Sequence, residues 1–280
     1  MIPIYENLRG RTAAITGGSG VLSSAMAREL ARHGVSVAIL NRSTESGAKV
    51  AQEIVDSGGI AKAFTCDVTK AESICAAKKE IDEEFGRCEI LINGAGGNVA
   101  EAITTDETFK DGANSNDRSF FDLEIAAFSK VFDLNLTGTI ATSQIFAKDM
   151  IGLPGATIVN ISSMSAFSPL TKVPAYSASK AGINNFTSWL AVYLAKSQVR
   201  VNAIAPGFFL TTQNRHLLTN QDGSLTPRSK KIIGKTPMAR FGEPHELLGT
   251  LLWLLDEELS GFITGVTIPV DGGFMANSGV

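Results

Sequence analysis

Tyr176 and Lys180 stand four residues apart in YSASK, at the start of a segment with helical periodicity, so their side chains fall on one helix face. A phenol with an ordinary pKa near 10 shuttles protons poorly near neutrality. A fixed ammonium about 5 Å away, at an effective dielectric of about 20, contributes about 3 kcal/mol, or about 2 pKa units, toward the phenolate. That brings tyrosine into range for general acid–base work. Alone, Tyr-x-x-x-Lys describes an exposed helix pair equally well. Ser163 ends an apolar strand upstream, where a hydroxyl can hydrogen-bond a substrate oxygen. Its neighbour Ser162 competes for that place, because successive strand residues face opposite ways. Asn135, in FDLNLTG, lies inside a long helical stretch where asparagine is an indifferent helix former. It bends the helix, holds water through a local irregularity, or is a packed and satisfied amide.

A second cluster could hold phosphates. TGGSGVLSSAMA (16–27) follows an apolar run and opens a helical pattern. In one register Gly18, Gly20 and Ser23 fill G-x-G-x-x-G/A, whose last slot wants a small residue so that helix and strand can approach. In another register, beginning at Thr16 and Gly17, Val21 and Ser23 replace the later glycines. In both, Gly17, Gly18 and Gly20 let the backbone turn tightly and meet a pyrophosphate at the helix N-terminus; a plain strand-to-helix turn is the alternative. The next strand ends in Asn41, Arg42 and Ser43. An acid there would bind an adenosine ribose, whereas a nearby arginine accommodates a 2′-phosphate. Uncharged Asn41 and cationic Arg42 therefore favour NADP(H), with NAD(H) the second choice.

These residues need elements to position them. Apolar runs at 12–16, 35–40, 60–68, 89–96, 155–163, 199–206 and 266–270 predict strands. Helices are predicted over 20–33, 44–57, 70–85, 124–150, 175–196 and 243–256. Short, uniformly apolar strands alternating with helices argue for a doubly wound α/β parallel sheet covered on both faces. With no linker, repeat or low-complexity tract, residues 1–280 read as a single domain. Two irregular segments, about 97–123 and 207–242, break the rhythm. They are expected to rise from strand C-terminal ends, where such sheets bind ligands.

The chain has 280 residues, 44% apolar and 19% charged, with a net charge of −3. No single-sign charge run suggests a nucleic-acid or membrane partner. No stretch approaches the ~20 apolar residues of a membrane span, and the N-terminus lacks a signal-peptide core. Cys66, Cys75 and Cys88 have no metal-ligand spacing and read as free thiols in a reducing compartment, so a cytoplasmic location is expected. No metal site is expected.

The irregular segments carry Asn98, Lys110, Arg118, Gln213, Asn214, Arg215, His216, Lys230 and Lys231. Arg215 can pair bidentately with a carboxylate. Lys172, between Ser163 and Tyr176, can do the same. Each is otherwise a solvated surface cation, as is Arg42.

TGGSG, CDVT, NGAG, LNLTG, NISS, YSASK, RVNAIAPG and VDGG occur in the order found in short-chain dehydrogenases/reductases, which the chain resembles over nearly its whole length. The resemblance implies a seven-stranded Rossmann fold and a homo-oligomer, tetramer or dimer. It implies that Tyr176 is the general acid in reduction and the base in oxidation, that Lys180 holds the nicotinamide ribose, that Ser163 orients the carbonyl, and that Asn135 supports a water. It implies cofactor contacts at Gly17, Gly18, Ser19, Gly20, Leu22, Asn41, Arg42, Asp67, Val68, Asn93, Gly94, Ala95, Gly96, Tyr176, Lys180, Pro206 and Gly207. Val21, Ser23 and Gly94 depart from the family pattern.

Further segments, among them SPLTKVPAYSASKAG, NFTSWLAVYLAK and APGFFLTTQNR, are similar to the short-chain type of D-mannonate oxidoreductase (fructuronate reductase). That likeness implies a sugar-acid substrate, D-fructuronate or D-mannonate, touched by Asn98, Lys172 and Arg215. The alternatives are a related polyol or keto-gluconate reductase, and a nucleotide-sensing protein without catalysis.

Overall fold

A computed structural model describes residues 2–111, 117–210, 218–220 and 222–278. Its strands are β1 (Thr12–Thr16), β2 (Ser36–Asn41), β3 (Ile60–Thr65), β4 (Ile90–Asn93), β5 (Thr157–Ile161), β6 (Arg200–Pro206) and β7 (Thr267–Val270). They form one parallel sheet in the order β3-β2-β1-β4-β5-β6-β7. Chain order reverses between β1 and β4, so the connections on either side diverge and leave a crevice at the strands' C-terminal ends.

Period-two alternation divides the core. Ile15, Val37 and Ile39 project to one face, against Met26, Ala27 and Leu30 of α1 (Val21–Arg32) and Leu251 and Leu252 of α8 (Leu248–Leu255). Ala14, Ala38 and Leu40 project to the other, against Ile74, Ala77 and Ile81 of α3 (Ala71–Phe85). Each fully buried leucine or isoleucine contributes about 1.5–3 kcal/mol. With helices on both faces, β1, β4 and β6 are buried along their whole length, so their apolar residues do not alternate with exposed ones; Arg200 and Asn202 of β6 are buried too and bond to Ser260 and the Ile263 carbonyl.

The remaining helices are α2 (Thr44–Asp56), α4 (Ile125–Phe132), α5 (Gly138–Met150), α6 (Pro174–Leu194), α7 (Pro227–Lys235) and the short α9 (Glu257–Ser260). The single helix expected over 124–150 is α4 and α5 joined by a π turn, Asp133–Thr137, centred on Asn135. The segment 207–242, read as irregular, contains α7. The Thr226 hydroxyl accepts the Ser229 N–H at 3.3 Å, and Pro227 opens the first turn. Thr-Pro ahead of SKKII was the start signal in the sequence. Strands β3, β4 and β5 stop short of the expected 68, 96 and 163, because ladder pairing ends before the apolar pattern does. No helix among the described residues is long and apolar enough to cross a membrane.

Candidate active site

The phosphate-type loop lies between β1 and α1. Gly17 adopts φ +62, which a side chain would strain, and a Cβ there would sit 2.8 Å from the Ala95 Cα. A Cβ at Gly18 would strike the Ile39 side chain at 2.8 Å. The Gly20 N–H donates to the Gly17 carbonyl at 2.9 Å, and Gly20 caps α1 with no side chain, leaving the N–H groups of the first turn for an anion. Leu22, in that turn, packs partly against the core.

Two of the three departures from the family pattern, Ser23 and Gly94, explain each other. A Cβ at Gly94 would lie 2.5 Å from the Ser23 hydroxyl and 2.8 Å from the Thr16 carbonyl. Bulk that position 94 lacks is supplied by position 23.

Asn41 at the end of β2 is tied to the loop. Its Oδ1 accepts the Ser19 N–H at 3.0 Å, and its Nδ2 donates to the Ser19 hydroxyl at 2.7 Å. Arg42 is exposed beside it. Hydrogen bonds from Thr69 hold the Asp67 carboxyl below the usual range, helped by the charges of Lys70 and Arg42. Val68 is buried under Gly138, where a Cβ would meet it at 2.8 Å. Asn93 turns its amide away from the crevice, donating to Ser143 at 2.9 Å and Asn160 at 2.8 Å. Gly94 and Ala95 both donate backbone N–H to the Thr16 hydroxyl at 3.1 Å. Pro206 ends β6. Gly207 is needed by the fold itself, because a Cβ there would lie 2.6 Å from the Asp271 Cα.

Asn135, Ser163, Tyr176 and Lys180 converge above β4 and β5. The π turn points the Asn135 amide at Gly97: Nδ2 donates to the Gly97 carbonyl at 2.8 Å and Oδ1 accepts the Gly97 N–H at 3.1 Å. A Cβ at Gly96 would lie 2.7 Å from the Asn135 Oδ1 and 3.3 Å from the Lys180 Nζ, so a bare backbone separates the two. The choice between the serines is decided by packing. Ser162 donates to the Asn184 Oδ1 at 2.5 Å, on the far side, whereas Ser163 faces the Tyr176 phenol and favours its ionised form.

The electrostatics differ from the sequence expectation. Burial raises the Tyr176 phenol above its ordinary value, opposed by the Ser163 hydrogen bond. Burial also lowers the Lys180 ammonium to about 8. The Lys180 Nζ lies 5.7 Å from the Tyr176 ring centroid and donates to the Ile161 carbonyl at 2.7 Å. The lysine was expected to pull the phenol down by about 2 units, but the shift follows burial of the phenol instead.

The substrate segments are heavily self-bonded. Lys172, in a strained backbone with φ +70, donates from Nζ to the Thr105 carbonyl at 2.6 Å, and its own carbonyl accepts the Thr104 N–H at 3.0 Å. Lys172 thereby ties itself to the 97–123 segment, with two further ammonium protons left for other acceptors. Arg118 donates to the Ala100 carbonyl, Lys110 pairs with Asp106, and Lys231 pairs with Glu107. The Asn98 Oδ1 accepts the Val99 N–H at 3.0 Å. Arg215, Gln213, Asn214 and His216 lie outside the described residues. A cavity of about 570 Å³ opens beyond Phe208 and Phe209, toward Met238 and Asp271, but none of the four central side chains lines it. Among the described residues no group of three His, Cys, Asp or Glu side chains is placed to hold a metal.

Residues 11–222 match the family described as short chain dehydrogenase. The chain is 59% identical, over the full length of both proteins, to UxuB of Bacillus subtilis, an uncharacterized oxidoreductase. A candidate D-mannonate oxidoreductase from Haemophilus influenza, solved with bound NAD, is 51% identical with a TM-score of 0.95 and 98% of each chain covered. Glucose 1-dehydrogenase 2 of Bacillus subtilis is 33% identical over 96% of each chain.

Proposed function

Because this chain belongs to the short-chain dehydrogenase family, we propose that it is an oxidoreductase interconverting the ketone and secondary alcohol of a sugar acid, D-fructuronate and D-mannonate. The observation that carries the chemistry is one cluster: a half-buried phenol faced by Ser163, with the Lys180 ammonium beneath it. The glycine-lined crevice fits a nicotinamide dinucleotide, since side chains at 17, 18, 94 or 96 would collide with the walls. The α1 N-terminus and Ser19 would take the pyrophosphate, Asn41 and Arg42 the adenosine ribose, and Lys180 the nicotinamide ribose. When bound, that cofactor supplies the hydride for reduction and accepts it for oxidation.

The protein's own groups handle the proton. Ser163 donates to the carbonyl oxygen and orients it. Tyr176 gives its phenolic proton to that oxygen as negative charge develops there, and takes it back in the reverse direction. Asn135 holds Gly97, and with it the wall facing Lys180.

NADP(H) is favoured over NAD(H), because Asn41 brings no carboxylate against a 2′-phosphate and exposed Arg42 can meet one. The NAD in the Haemophilus structure supports NAD(H) as the second cofactor. The UxuB and D-mannonate likenesses support the sugar acid. Exposed Trp189, Val192 and Tyr193 on α6 support a homo-oligomer, dimer or tetramer. One seven-stranded sheet supports a single domain, and three free cysteines suit a cytoplasmic protein.

Purified protein mixed with D-fructuronate should consume NADPH, and NADH with a lower kcat/KM. Tyr176→Phe should lower the rate by roughly 10²–10⁴. No absorbance loss with either cofactor refutes this substrate. Ranking keto-gluconates and keto-polyols by kcat/KM then separates the related reductases.

A further inference from the structure

A hydroxyl offers one proton and accepts through two lone pairs. Both acceptor positions of Ser163 are filled by the same residue: its Oγ accepts the Ser165 N–H at 3.1 Å and the Ser165 O–H at 3.1 Å. We propose that Ser165 is a positioning residue that makes Ser163 a pure donor, so that its one proton faces the phenol oxygen of Tyr176 before the substrate binds and the substrate oxygen afterwards. The inference rests on the acid–base reading of Tyr176 given above.

The two bonds are not equivalent. The N–H bond comes from the backbone: Ser163 caps the 3-10 turn Met164–Ala166, and any residue at 165 would supply that donor. The hydroxyl bond needs serine or threonine. Ser165 is 1% exposed and Ser163 7%, so water does not readily replace the missing donor. With a free lone pair, Ser163 could accept the phenolic proton instead of giving its own. The pair would then hold Tyr176 as a donor into serine, facing away from the reacting oxygen. Filling that lone pair removes the wrong arrangement and stabilises the phenolate by a fixed hydrogen bond.

Ser165→Ala removes the hydroxyl and keeps the cap, and Ser165→Thr keeps both. The phenol is titrated by ultraviolet absorbance immediately after a pH jump, before unfolding, with neither cofactor nor sugar acid. Subtracting the same variant carrying Tyr176→Phe removes the signals of Tyr5 and Tyr193. The Ala variant should titrate higher than the parent by about half a unit or more, and the Thr variant with the parent. In turnover, Ala should lower kcat roughly threefold to tenfold, with KM little changed and the pH profile of oxidation moved upward by the same amount.

An Ala titration that superimposes on the parent overturns the proposal, as does an equal shift in Ala and Thr. If Thr does not fold, the Ala titration decides alone, with the urea midpoint reporting on the fold. Absence of turnover by the parent would sink the sugar-acid reading and leave the titration standing.

Discussion

On the β1 side of the crevice the chain holds itself by short-range contacts and close backbone approach. Gly20 bonds back to Gly17, Ser19 is held by Asn41 from the adjacent strand, and a glycine stands wherever two backbones touch. On the β4–β6 side the walls are joined over long sequence distances. Lys172 reaches Thr105, and Lys231 of α7 reaches Glu107 on the other irregular segment. The cofactor side is fixed by exclusion of volume, which tolerates no extra atom. The substrate side is fixed by polar links, one to a backbone carbonyl and one between exposed side chains, the latter individually weak. Between them lie Tyr176, half-buried, and Lys180, buried.

The largest effect is expected at that boundary. Lys180 has a folded pKa of about 8 against an ordinary 10.5. Below about pH 8 the folded state therefore bears the full penalty of a buried ammonium, about 3 kcal/mol. Between 8 and 10.5 the unfolded chain binds more protons, so stability rises with pH. Urea midpoints of the parent and Lys180→Met, compared at pH 7.5 and 10, should show the parent gaining on the variant by roughly 2 kcal/mol. Equal pH dependence in the two would show that the ammonium is well solvated.

On the cofactor side, Gly94→Ala should destabilise by roughly 1–3 kcal/mol, because the new methyl meets Ser23 and Thr16. Adding Ser23→Ala removes the nearer contact and should recover part of that loss. Additive urea midpoints would mean that the two positions do not share the space. The smallest effect is expected on the substrate side. Lys231→Ala breaks an exposed pair and should change stability by less than about 1 kcal/mol. KM for the sugar acid should rise nonetheless, with kcat little changed, if this link aligns the two segments. An unchanged KM would remove the pair from substrate binding.

Much of the fold was legible because it is written in local patterns. The apolar run at 12–16 could only be a strand buried on both sides, and the glycines after it could only allow a tight approach. Helix α7 went unread because its apolar face is short and its start signal, Thr226-Pro227, lies amid polar residues. The π turn at Asn135 was legible as an irregularity but not as a kind of irregularity. The net shift at Tyr176 was not legible, because a distance and a dielectric were assumed between two charges where burial of the phenol dominates. Lys172 was read as a free cation because nothing near it in sequence reveals Thr105.

The sequence by itself determined the alternation of strands and helices, the glycine-rich turn and the spacing that puts Tyr176 and Lys180 on one helix face. Those depend on residue type and spacing, which are local properties. Only the tertiary structure decided that Ser163 rather than Ser162 faces the phenol, that Ser23 and Gly94 share one volume, and that Lys172 and Arg118 already hold backbone carbonyls. Each of these depends on which distant atoms fill the space around a side chain, and close packing leaves that space no second occupant.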